Sequence, residues 1–217
     1  MNADQVEALR VLLAPTGWLD RTRSFARALR QSARTPRGLL VVGTPADEPW
    51  HLTAHLADES RMAGIPELSP TLIRWSPPLI GPEHLRVGMD RLQAAGRDET
   101  LLVVSPQVAP GDLLERLDDA RKLGVTIFAL DRGDADLEGL AHEALPVPPA
   151  TAPVSFDAAQ HLVSAAAGEP YQLASQSRPR GHRARGGSGR PPPGGTDDGL
   201  RSMLARLLDA VSGTPAE

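Results

Sequence analysis

The stretch LLVVSPQVAPGDLLERLDDARKLGVTIFALD, residues 101–131, decides the fold. It opens on a run that is apolar at every position, the pattern of a strand covered on both faces and not of one with a wet side. Residues 110–124 then follow a helical period. Pro110 stands at the start, Asp112 in the first turn, Leu113, Leu114, Leu117 and Ala120 form one stripe, and Gly124 ends it. A second apolar run, VTIFALD (125–131), closes the unit. Strand, helix and strand in so short a span require a right-handed crossover between parallel strands.

The same unit repeats outward. GLLVVG (38–43) reads as a first buried strand. A helix follows, with Thr44 or Asp47 as its cap, Pro49 in its first turn, and Gly64 and Pro66 as its stop. TLIRW (71–75) is a second strand and 82–96 a helix carrying Leu85, Met89 and Leu92; TLLVVS (100–105) is the third strand. Beyond the fourth strand come a short helix (134–144), a short strand (145–148) and a closing helix (155–168), and residues 3–13 and 18–34 supply two helices in front. The expectation is an α/β domain over 1–173, a doubly wound, flavodoxin-like parallel sheet of five strands with helices on both faces.

After residue 173 this pattern stops. Residues 174–195, ASQSRPRGHRARGGSGRPPPGG, hold no large apolar side chain to offset the entropy of ordering, so they read as a disordered basic linker. Residues 196–213 then place Leu200, Met203, Leu204, Leu207, Leu208 and Val211 on one helical face, with Thr196 as cap and Gly213 as stop. A helix of about 15 residues is marginal alone in water. Its apolar face needs a surface, either on its own domain or on a partner.

Composition narrows the function. A hydrophobic fraction of 41% in 217 residues is enough for a real core. With no cysteine, disulfides, thiolate metal sites and cysteine nucleophiles are excluded. The start, MNADQVEALR, is acidic where a secretory signal is basic, and no apolar run approaches the roughly 20 residues of a membrane span, so the expected location is the cytoplasm. Charge is uneven: 16 basic against 23 acidic residues over 1–173, then 7 against 4 over 174–217. Lys122 is the only lysine, a bias that with abundant Ala, Gly and Pro fits a high-GC bacterial genome.

The order of elements over 18–168, with the junctions LLVVGTPADEP (39–49) and 101–131, resembles the sugar isomerase (SIS) domain family. In that family the second junction reads Ser-Gly-x-Thr, and the serine and threonine of its turn help to bind a sugar phosphate. Ser105 matches that serine; Pro106 replaces the glycine, and no threonine follows before Asp112. A proline removes an N–H from such a cradle and fixes φ, so the phosphate turn is degenerate. The first junction, Gly43–Thr44–Pro45, lacks one amide in the same way. Gly43, Thr44, Ser105 and Gln107 are the ligand-binding candidates that the resemblance leaves, and a phosphosugar is the ligand it implies.

Other residues carry weaker patterns. His51, His55 and Asp58 share a helix face at a spacing that metal ligands use, but Leu52 stands where a zinc protease has its glutamate and no third ligand is in sight, so no metal and no cofactor is expected. Glu59, His84 and His142 are the acid/base candidates if isomerase chemistry survives. Arg23, Arg27, Arg30, Arg34 and Arg37 form a basic ridge if that helix continues to its end, with Phe25, Ala26 and Leu29 facing inward. Without aromatic residues in the linker there is no platform for base stacking, so nucleic-acid contact would be non-specific.

The expected protein is a non-catalytic regulatory or interaction protein on a degenerate SIS-like domain. It docks a protein partner or a second copy, as a homodimer, through its last helix, in a process such as bacterial development or cell-cycle control. The rivals are a sugar-phosphate sensor or isomerase using the strand-end loops, and a basic-tailed adaptor for nucleic acid.

Overall fold

The structure is a computed structural model that describes residues 17–147 and 154–169. Helix α1 (Trp18–Ser32) leads into β1 (Leu39–Val42), then α2 (Trp50–Ala63) and β2 (Pro70–Ile73). After a long connection come β3 (Thr100–Val104), α3 (Gly111–Lys122), β4 (Thr126–Asp131), the one-turn-and-a-half α4 (Ala135–Leu140), β5 (Glu143–Pro146) and α5 (Phe156–Gly168). The five strands form one parallel sheet in the order β2-β1-β3-β4-β5. The doubly wound expectation holds, and the order reverses between β1 and β3, whose carboxyl ends therefore flank the crevice in which such sheets collect ligands.

Strand burial explains the apolar runs. Successive residues of a strand point to opposite faces, and both faces are covered. Leu39, Val41, Leu102, Val104, Phe128 and Leu130 pack under α1, α2 and α5. Leu40, Val42, Ile73, Leu101, Val103, Ile127 and Ala129 pack under α3 and α4. Phe25 of α1 meets Phe128 edge to face at 5.3 Å between ring centres, tying the first helix to the middle of the sheet. Each fully buried leucine or phenylalanine contributes about 1.5–3 kcal/mol relative to exposure.

The helix expected over 82–96 is replaced by two short 3-10 turns, Glu83–Leu85 and Met89–Leu92. Met89 and Leu92 are buried as the periodicity requires. A longer helix is prevented by Gly88, which is extended and pairs with Arg74 beside β2, while the Arg74 N–H donates to the carbonyl of Val87 (2.9 Å). A Cβ at Gly88 would press on the Asp90 carboxylate at 2.9 Å and on Pro77 at 3.3 Å, so a larger residue would crowd this closure. The loop between, SPPLIGP (76–82), leaves Leu79 and Ile80 94% and 91% exposed.

Helix α5 lies beside α2 with the same polarity: His161 meets His55 near one end, and Gly168 meets Glu59 at the other. A Cβ at Gly168 would sit 2.1 Å from Glu59 Oε2, so glycine permits the close approach. The sequence-predicted helix 3–13, linker 174–195 and amphipathic helix 196–213, with Leu200, Met203, Leu204, Leu207, Leu208 and Val211, lie outside the described residues. Among the described residues no helix is long and apolar enough to cross a membrane.

Candidate functional site

The crevice at the β1/β3 switch point is where the sequence placed Gly43, Thr44, Ser105 and Gln107, and both loops are there. The β1 loop is folded onto itself. A Cβ at Gly43 would lie 2.0 Å from the carbonyl oxygen of Asp47 and 2.7 Å from Pro49 Cδ, and the Trp75 indole N–H donates to the Gly43 carbonyl (2.8 Å). Thr44 is buried, and its hydroxyl oxygen accepts the N–H of Asp47 (3.2 Å). Neither Thr44 nor Asp47 caps α2, as the sequence suggested; Pro49 occupies the cap position and no side chain bonds to it. The reason is that Thr44 lies six residues before Trp50 and bonds within its own loop.

The β3 loop is closed in the same manner. Ser105 is 0% exposed; its N–H donates to Leu130 (2.9 Å) and its hydroxyl to the carbonyl of Gln107 (2.6 Å). The Ala109 N–H donates to Asp134 Oδ2 (2.7 Å). Pro106 and Pro110 have no N–H, so the turn itself offers the amides of Gln107 and Val108, followed by those of Gly111 and Asp112 in the first turn of α3.

Acidic groups stand beside this turn. Asp131, at the end of β4, is wholly buried; its Oδ1 accepts the N–H of Gly133 (2.6 Å) and of Asp134 (3.4 Å), and its Oδ2 accepts no N–H among the described residues. Burial pushes the Asp131 carboxyl up, and burial together with Asp131 pushes the neighbouring Glu138 up. Asp134 caps α4 by accepting from Asp136 and Leu137. Sequence reasoning passed over these three acids because none belongs to a motif. They make the edge of the crevice hostile to a dianion.

The remaining acid/base candidates are scattered. Glu59 is buried at the far end of α2 against Gly168. His84 is exposed in a surface turn. His142 sits at the opposite edge of the sheet, where its Nδ1 accepts the N–H of Ile127 (3.0 Å). None of the three joins Ser105. The basic ridge is interrupted: α1 ends at Ser32, so Arg34 and Arg37 leave the helix line, and Arg37 takes a left-handed backbone conformation. Arg23 pairs with Asp20 (3.4 Å), Arg30 donates to the carbonyl of Glu169, and Arg27 is exposed. Phe25, Ala26 and Leu29 do face the core.

A second cluster was only half legible in the sequence. His51 and His55 of α2 face Asp157, Gln160 and His161 of α5 across a cavity of about 110 Å³. The His55 and His161 rings meet edge to face, 4.3 Å between centres. Burial holds both imidazoles below the usual histidine range. At His55, Asp58 opposes and His51 reinforces that effect; at His161, His55 and His51 reinforce it and Asp157 opposes. Sequence analysis passed over the i, i+4 pair Asp157 and His161, about a hundred residues downstream, because nothing local ties it to His51 and His55. Among the described residues no group of three or more His, Asp or Glu side chains is arranged to hold a metal ion.

No protein-family model matches the chain, and no curated protein is similar to it in sequence. Among solved structures, one described as a "putative sugar-phosphate isomerase" from Listeria monocytogenes is similar in fold, with 11% identity and a TM-score of 0.42 over 88% of this chain and 78% of that one. The chain has a five-stranded parallel α/β fold, and its likeness to that structure is distant.

Proposed function

We propose that this protein is a non-catalytic interaction protein, built on an α/β domain of SIS-like layout whose strand-end turns serve the fold in place of a phosphosugar. The observation that carries the reading is Ser105: wholly buried, with its hydroxyl given to Gln107. The closed Gly43 loop and the buried Asp131 beside the crevice point the same way. The partner is held by the predicted amphipathic face Leu200, Met203, Leu204, Leu207, Leu208 and Val211 at the end of a linker whose mean reach is on the order of 25 Å. That partner is a second copy or another cytoplasmic protein, and the role is regulatory.

The test compares the full chain with one lacking 197–217. Partner capture and self-association, measured by affinity purification and sedimentation, are lost with the segment, while thermal stability shows no rise with sugar phosphates. A sensor or isomerase is the second reading, favoured by Thr44 and Ser105 both standing at the β1/β3 switch point. Stabilisation by a sugar phosphate would favour it. The third, a nucleic-acid adaptor, calls for retention on DNA that falls steeply with salt.

A further inference from the structure

Helix α5 packs on both α1 and α2 and covers the Phe128 face of the sheet, contributing Ala159, Leu162, Val163 and Ala166 to the core. Its contact with α2 is not purely apolar. In the amino-terminal halves of both helices the seam holds the half-buried imidazoles of His55 and His161, edge to face at 4.3 Å, with His51 beside them on the cavity wall. Neutral rings attract in this geometry. Two imidazolium rings at the same separation repel, and in a half-buried site water screens them poorly.

We propose that the α2–α5 seam is a proton-sensitive latch: neutral His55 and His161 join the two helices, and in mild acid their paired charges part them and release α5.

The groups facing the pair offer little relief. On α2, Asp58 is exposed and ion-paired with Arg61, and His51 lines the cavity beside the rings. On α5, Asp157 is exposed and accepts a hydrogen bond from Gln160 (3.3 Å). From α1, Arg30 reaches the carbonyl of Glu169 at the far end of α5, and Glu59 of α2 stands by Gly168 at that same end. Among the described residues no acid lies between the two rings, and the nearest on α5, Asp157, sits on the cavity wall. Both histidines sit below their ordinary range when folded, so the stability they contribute is fully present above the unfolded value of 6.5 and is lost as pH falls from there through the folded values.

The test is hydrogen exchange on the full chain, with protection corrected for the intrinsic pH dependence, at steps from pH 7.5 to 5.0. Protection of α5 falls by up to about tenfold per pH unit for each proton taken up, while α3, on the opposite face, stays protected. His55→Gln with His161→Gln removes the acid response, and His84→Gln, an exposed control, keeps it. Equal loss across α3 and α5, or an unchanged response in the double variant, overturns the proposal. If the double variant does not fold, imidazole titration by NMR in the parent decides: both rings becoming charged while α5 remains protected also overturns it.

Discussion

Replacing Ser105 by alanine separates a hydroxyl that holds the fold from one kept for a ligand. In the structure that hydroxyl is buried and donates to Gln107 across 2.6 Å. Removing a buried neutral hydrogen bond costs about 0.5–1.5 kcal/mol. The acceptor residue, Gln107, is exposed, so water can replace the lost donor and no large further penalty for a stranded carbonyl arises. The Ser105 N–H bond to Leu130 survives the change. Ser105→Ala therefore loses about 1 kcal/mol, which for a domain of this size lowers Tm by about 2–4 °C. Urea and thermal unfolding followed by circular dichroism measure it. A variant as stable as the parent, or more stable, would refute the reasoning, because residues poised for a ligand commonly gain stability when simplified.

Further substitutions test other close contacts of the structure. Gly43→Ala drives a methyl into the backbone oxygen of Asp47, 2.0 Å from the new Cβ, and should cost about 1–3 kcal/mol by chemical denaturation, more than Ser105→Ala if the loop cannot open. Gly168→Ala meets Glu59 at Oε2 and at Cβ and should lose a similar about 1–3 kcal/mol; pairing it with Glu59→Ala should recover part of that loss in a double-mutant cycle. For Asp131, whose folded pKa is raised, stability is full below the unfolded value of 3.8 and is lost as pH rises through the folded value. Asp131→Asn keeps an oxygen for the Gly133 N–H and cannot ionise, so at pH 7 it should melt no lower than the parent; a lower Tm would show that the charge is needed.

The fold was legible where one residue's environment is set by its near neighbours. The runs 39–42, 101–104 and 127–130 are apolar on both faces because helices cover both, and 111–122 shows its stripe because one side alone is buried. The connection 82–96 misled because its apolar spacing suits a helix, while the pairing that breaks it, Gly88 with Arg74, is made across the chain. The positions of Thr44 and Ser105 at strand ends were likewise visible, but the direction of their hydroxyls was not, since a serine that binds a phosphate and one that ties its own turn share one pattern. His51 and His55 were visible as a pair. Their meeting with His161 depends on α5 lying against α2, a consequence of the packing of α5 that local periodicity does not encode.

Calorimetric titration of the full chain with a panel of hexose and heptose phosphates, and with inorganic phosphate alone, bears most directly on the claim that the strand-end turns are spent on the fold. The account predicts no saturable heat up to millimolar ligand. Saturable binding that Ser105→Ala or Thr44→Val abolishes, with folding intact, would contradict it.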